Sequence, residues 1–199
     1  MPWALGALLL YLIFSAIRIG TADFLSIQAA DAAKEPSPSA LADAARKLAW
    51  AQRLTPDDPN RLEETASLAM RRASLAGDDR AARQAALQPG LVHARRAVEL
   101  RPAYAYGWAI LLKLKHRLGE YDAEFHRALA ATMRLGPWEP GLQILVVDAG
   151  LSAWPTLSAE EQVAVMACYL RGLHRQEEAM AGLLRKHNPP CADGTECAQ

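Results

Sequence analysis

The sequence predicts an all-α protein, with an N-terminal membrane helix followed by a stack of antiparallel helix pairs, an α-solenoid. Three observations carry this reading. Ala, Leu, Arg and Glu dominate the 199 residues, and strand signals are sparse, the longest β-branched cluster being residues 144–147 inside a longer helical pattern. No side chain from Pro2 to Ile17 is charged. The ending Ala51, Leu54, Pro56 recurs with the same spacing as Ala97, Leu100, Pro102, which marks an internal repeat.

The apolar start contains Trp3, Leu5, residues 8–14 and Ile17, and Arg18 closes it. A bilayer core takes about 20 residues of helix, so residues 19–22 complete the span while Arg18 snorkels. Residues 1–22 therefore read as a membrane anchor or uncleaved signal. A cleaved signal, with small residues near Gln28 and Ala29 for processing, and a buried N-terminal helix are the alternatives. Residues 23–39 read as a linker, because Pro36 and Pro38 discourage helix. Residues 40–188 form the helical-repeat domain and residues 189–199 a cysteine-containing tail.

Within the domain, a helix is expected over residues 40–54, stopped by Thr55 and Pro56. Pro56 and Pro102 lie 46 residues apart, about 12 more than the ~34-residue helix-pair period. The excess falls at residues 77–90, read as an insertion between helices over 60–75 and 91–100. The next pair is 106–118 and 121–135, with Gly119 ending its first helix. Residues 140–154 follow. Ser158 and Glu161 then form a capping box opening a helix to Gly172, and a last helix over 175–186 covers the open end.

The residues Ala97, Leu100, Pro102, Trp108, Leu111, Gly119, Tyr121 and Ala131 together resemble the tetratricopeptide family over at most residues 40–137. Two positions depart from that pattern, Leu112 where a small residue is usual and Glu124 where alanine is usual. Gly136, Pro137, Glu139, Pro140, Gln143, Gly150, Leu151, Trp154, Leu157 and Gly172 resemble small VpsP-type proteins of exopolysaccharide or O-antigen biosynthesis. The first resemblance implies a binding scaffold in which Trp108 is buried and the first helix of each pair lines a groove. Here that helix offers Tyr106, Ala109, Lys113, His116 and Arg117 to a partner. The second implies an accessory protein of the bacterial envelope.

Lys113, His116 and Arg117 are spaced i, i+3, i+4 and share a helical face whatever the family. Such a patch suits a carboxylate-bearing peptide terminus or an acidic polysaccharide, and an ordinary solvated stripe has the same spacing. Trp50, Trp108, Trp138 and Trp154 read as packing residues, not as sugar-stacking platforms.

Chemistry-bearing motifs do not emerge. The acid pairs Asp57-Asp58, Asp78-Asp79, Glu160-Glu161 and Glu177-Glu178 are adjacent, so on a helix they diverge. The five histidines include no i, i+4 pair, and there is no phosphate loop or nucleophile elbow. No metal, cofactor or catalytic residue is expected. Lys plus Arg and Asp plus Glu both number 22, so no global field recruits nucleic acid. Cys168 reads as a core residue. Cys191 and Cys197 either close a small disulfide in an oxidising compartment or remain free thiols.

Arg18 alone would place the following residues in the cytoplasm, whereas the tail cysteines point outside it. The expectation is a non-enzymatic adaptor, single-pass in the bacterial inner membrane with a periplasmic domain. Its partner would be an envelope protein or membrane complex, such as polysaccharide machinery. Assembly of pili, secretion systems or cytochromes is the alternative, and glycan modification the enzymatic one.

Overall fold

The computed structural model describes residues 2–187. They form α1 (Pro2–Ala32), α2 (Pro38–Leu54), α3 (Pro59–Ser74), α4 (Arg80–Leu100), α5 (Ala105–Leu118), α6 (Ala123–Leu135), α7 (Pro140–Ser152) and α8 (Ala159–His187), with a 3₁₀ turn at Trp154–Thr156. No strand occurs among the described residues. Cys191 and Cys197 lie outside them, so the disulfide expectation falls beyond the described chain. The chain divides into two compact units at Leu100 and Arg101.

In the first unit α1 packs on α2, α2 on α3 and α3 on α4. Ser37 starts α2 by accepting a hydrogen bond from the Ala40 amide at 3.2 Å, and Asp58 starts α3 by accepting from Asn60 at 2.9 Å. Ala29, Leu41, Ala44, Leu48 and Leu68 form the core between the first three helices.

The boundaries expected for the anchor and linker are corrected here. Helix α1 does not give way to a linker at residue 23 but runs unbroken to Ala32, and Ala22 and Ala29 are buried. The reason is small side chains on one face, which let α2 approach, together with two arginines of α3. Arg61 Nη2 donates to Asp23 Oδ1 at 2.5 Å, and Arg71 Nη1 donates to the Ala33 carbonyl at 2.7 Å. Pro36 lies in the short turn between α1 and α2, whereas Pro38, expected to discourage helix, is the first residue of α2, where a proline's missing N–H costs no helical hydrogen bond. Between Trp3 and Ile19, by contrast, large apolar side chains are 48–90 % exposed, and α1 is long and apolar enough to cross a membrane.

The expected insertion at residues 77–90 is likewise shorter than the spacing implied. Asp79 caps the amide of Ala82 at 2.9 Å, and the Ala-rich stretch carries α4 straight through Pro89 to Leu100. Leu87, Leu91, Ala94 and Ala97 are buried on its inner face.

In the second unit α5 pairs with α6 and α7 with α8, and both α5 and α6 touch α7. Leu112, Leu114, Phe125, Leu129, Val146, Val147, Val165 and Met180 are fully buried. The capping box at α8 is present: Ser158 N donates to Glu161 Oε2 at 2.8 Å, and Glu161 N donates to Ser158 Oγ at 3.2 Å. The two helices expected over 158–172 and 175–186 are the two arms of α8, which meet at a kink where Gln176 has non-helical torsions, φ −144° and ψ 43°. Gly172 lets the Met180 side chain pack directly on its backbone, because a Cβ there would collide with the Met180 Cε methyl and push that side chain aside.

Trp108 is half-buried, not enclosed between paired helices as expected. Its indole N–H donates to the Pro102 carbonyl at 2.8 Å, holding the chain before α5. Trp108→Phe should therefore lower the unfolding free energy by only about 1 kcal/mol, the worth of one hydrogen bond, as read by chemical denaturation. Trp50 and Trp138 are corrected too. They are 59 % and 70 % exposed, each with an arginine over its ring, Arg53 at 5.0 Å and Arg171 at 6.0 Å.

Candidate functional site

The expected partner face lies on α5, which the second unit surrounds on most sides. Ala105, Ala109, Leu111, Leu112, Leu114 and Lys115 are buried, whereas Tyr106, Lys113 and Arg117 are exposed. These three are spaced i, i+7, i+11, so they form one outward stripe along three turns. Ala109 leaves the expected set by packing against Leu142.

At the N-terminal end of the stripe, Tyr106 donates its hydroxyl to Glu139 Oε2 at 2.9 Å, and that bond raises the phenol's pKa. Tyr104 lies against Tyr106 with ring centroids 5.6 Å apart, and the Arg101 guanidinium lies 4.4 Å over the Tyr104 ring. The result is an exposed aromatic edge beside a carboxylate, able to stack on a flat ligand face and to accept hydrogen bonds.

His116 does not join the stripe. It turns toward Asp148 of α7, its Nε2 3.4 Å from Oδ2, while Nδ1 lies 3.4 Å from the Tyr121 hydroxyl. Asp148 Oδ1 also accepts from Lys186 Nζ and His187 Nε2, both at 2.8 Å. One carboxylate thus ties α5 and α7 to the end of α8. The His116 hydrogen bond, with those from Lys186 and His187, holds the Asp148 carboxyl well below the usual carboxylate range despite its partial burial. It is ionised near neutrality and acts as a counter-ion, not as a proton donor. Burial pushes the Tyr121 hydroxyl pKa up.

The most enclosed charge is Lys115, only 1 % exposed. Its Nζ donates to Glu120 Oε2 at 2.6 Å and Asp122 Oδ2 at 2.7 Å, with Glu124 Oε2 at 3.6 Å. The local sequence folds this way because Gly119 adopts φ 71°, closing α5. The Glu120 amide donates back to the Lys115 carbonyl, and the Gly119 amide to that of His116, both at 3.0 Å, a Schellman ending. Asp122 uses its other oxygen to cap α6 through the amides of Glu124 and Phe125, both at 3.1 Å. Burial opposes the charge on Lys115, but the bonds to Asp122 and Glu120 outweigh it and hold its pKa above the ordinary lysine value.

Neither Lys115 nor Asp148 is among the residues picked out from the sequence. Each carried a signal: a lysine followed by acids at 120, 122 and 124 across a turn, and a lone aspartate inside the apolar run of α7. Glu124, where the repeat pattern has alanine, is accounted for by its approach to Lys115. Among the described residues, no three His, Cys, Asp or Glu side chains are placed to hold a metal ion. No family model, curated protein or solved structure matches the chain.

Proposed function

We propose that the protein is a membrane-anchored, non-enzymatic helical-repeat adaptor of the bacterial envelope. In this reading α1 spans the inner membrane once, and the helices after it stand in the periplasm as a tetratricopeptide-like stack. The outward stripe of Tyr106, Lys113 and Arg117 receives a partner bearing carboxylates, from a protein terminus or an acidic polysaccharide. The observation that carries the reading is the contrast within α5, where one stripe is exposed while the rest of the helix is covered. The VpsP-type resemblance directs the choice of partner to polysaccharide biosynthesis or export.

Changing Lys113 and Arg117 together to Glu tests the stripe. Exposed charge reversals should shift stability by under about 0.5 kcal/mol, whereas loss of charge contacts at an interface costs about 2–5 kcal/mol of binding. The double variant should melt like the wild type and lose polysaccharide output in the native cell. Full output from a folded double variant contradicts the stripe as the partner site. A reporter active only in the cytoplasm, fused at Gln199, should be silent, and its activity would reverse the orientation.

A further inference from the structure

We propose that the first unit rests on the phospholipid headgroups of the bilayer that α1 enters, through Trp50 and Arg53 of α2 and the turn at residues 55–58. The proposal depends on reading α1 as a membrane span. It follows from heights measured along that helix. Exposed apolar side chains run from Trp3 to Ile19 and continue on one face at Phe24 and Ile27, with Arg18 the first charge. Protein packing begins at Ala22, which is 0 % exposed, and at Asp23, which holds Arg61. That is about 6 Å beyond Arg18 at 1.5 Å per residue. The polar layer of a bilayer is itself about 5–7 Å deep on each side, so packing starts within it.

Helix α3 sets the height of the rest. Asp23 meets Arg61 and Ala33 meets Arg71, each pair 38 residues apart, so α1 and α3 run parallel and in step. The same offset puts Pro59, the first residue of α3, level with Thr21, so the turn at residues 55–58 that leads into it lies near the height of Arg18. Helix α2 runs antiparallel to α1 and descends into that turn, which leaves Trp50 roughly one helical turn above it. Because α1 is continuous from Pro2 to Ala32, no hinge lifts the unit away from the surface.

The side chains at this height suit headgroups. Trp50 is 59 % exposed with the Arg53 guanidinium 5.0 Å over its ring. An indole sits well among headgroups, and a guanidinium pairs with phosphate in bidentate fashion. Phe24 of α1, 58 % exposed, adds apolar surface at nearly the same height. The acids of the turn have cationic partners: Asp57 accepts from Arg96 at 2.8 Å, and Asp58 accepts from Arg61.

The test uses the full chain in vesicles of phosphatidylcholine and phosphatidylglycerol, brominated either near the headgroup end or near the tail end of the acyl chains. One single-tryptophan variant retains Trp50 with the other tryptophans changed to Phe; the second carries Leu10→Trp with all native tryptophans changed to Phe. Fluorescence of the Leu10→Trp variant should be quenched most by the tail-end bromines, and that of Trp50 by the headgroup-end bromines. Quenching of the first with none of Trp50 overturns the docking and leaves the span standing. No quenching of either overturns the span and the docking with it. Wild-type protein in the same vesicles, oxidised by hydroxyl radicals, guards against misfolding of these variants. Normalised to intrinsic reactivity, Trp50 should react several-fold more slowly than Leu75, which follows α3 at its end away from residues 55–58 and is also exposed in the protein itself, and equal normalised rates overturn the proposal.

Discussion

Lys115→Met should destabilise the second unit by about 3 kcal/mol, the lower end of the range for orphaning the partners of a buried charge. Methionine replaces most of the buried stem, so the loss is electrostatic and not a cavity. It leaves Glu120, Asp122 and Glu124 facing one another without the ammonium that now joins them. The lower end applies because Asp122 and Glu120 are 57 % and 34 % exposed, and water screens part of their repulsion. Adding Asp122→Asn should restore part of the loss, since asparagine still caps α6 but carries no charge. Lys113→Met, on the exposed stripe of the same helix, should change stability by under about 0.5 kcal/mol. Denaturant unfolding followed by circular dichroism distinguishes the two. Equal behaviour of Lys115→Met and wild type would show that the ion cluster does not hold the turn.

Asp148→Asn should cost about 2 kcal/mol near neutral pH, because the lost charge is the shared acceptor for His116, Lys186 and His187. Its pH dependence has a definite sign. A carboxyl whose folded pKa is depressed contributes stability above its unfolded value, about 3.9, and loses it as pH falls through the folded value. The gap between wild type and Asp148→Asn should therefore be full at neutrality and close progressively below about pH 4. Melting curves across that range check it. A gap unchanged into strong acid would mean that Asp148 acts by shape and not by charge.

Helix positions were legible in the sequence wherever a local signal set them. Ser158 with Glu161, Gly119 and Pro140 at the start of α7 all act within one turn of their own position, whereas Pro38, read as discouraging helix, in fact opens α2. What was not legible depends on packing between helices. The continuation of α1 past residue 22 is stabilised by Arg61 and Arg71, 38 residues away in each case, and a polar stretch before Pro36 reads locally as linker. Continuation of α4 through Pro89 was hidden because proline argues against helix, while the burial of Leu87 and Leu91 on either side outweighs that preference. His116 shows the same limit at the site. Spacing alone placed it with Lys113 and Arg117, but Asp148, on another helix, draws it aside.

The adaptor reading is tested most directly by affinity capture of the tagged full chain from detergent-solubilised native membranes, with wild type and the Lys113→Glu, Arg117→Glu double variant compared side by side. The reading predicts that envelope proteins of polysaccharide biosynthesis or export are retained by the wild type and lost from the double variant. Recovery of no envelope-assembly protein, or the same set on both, would contradict it.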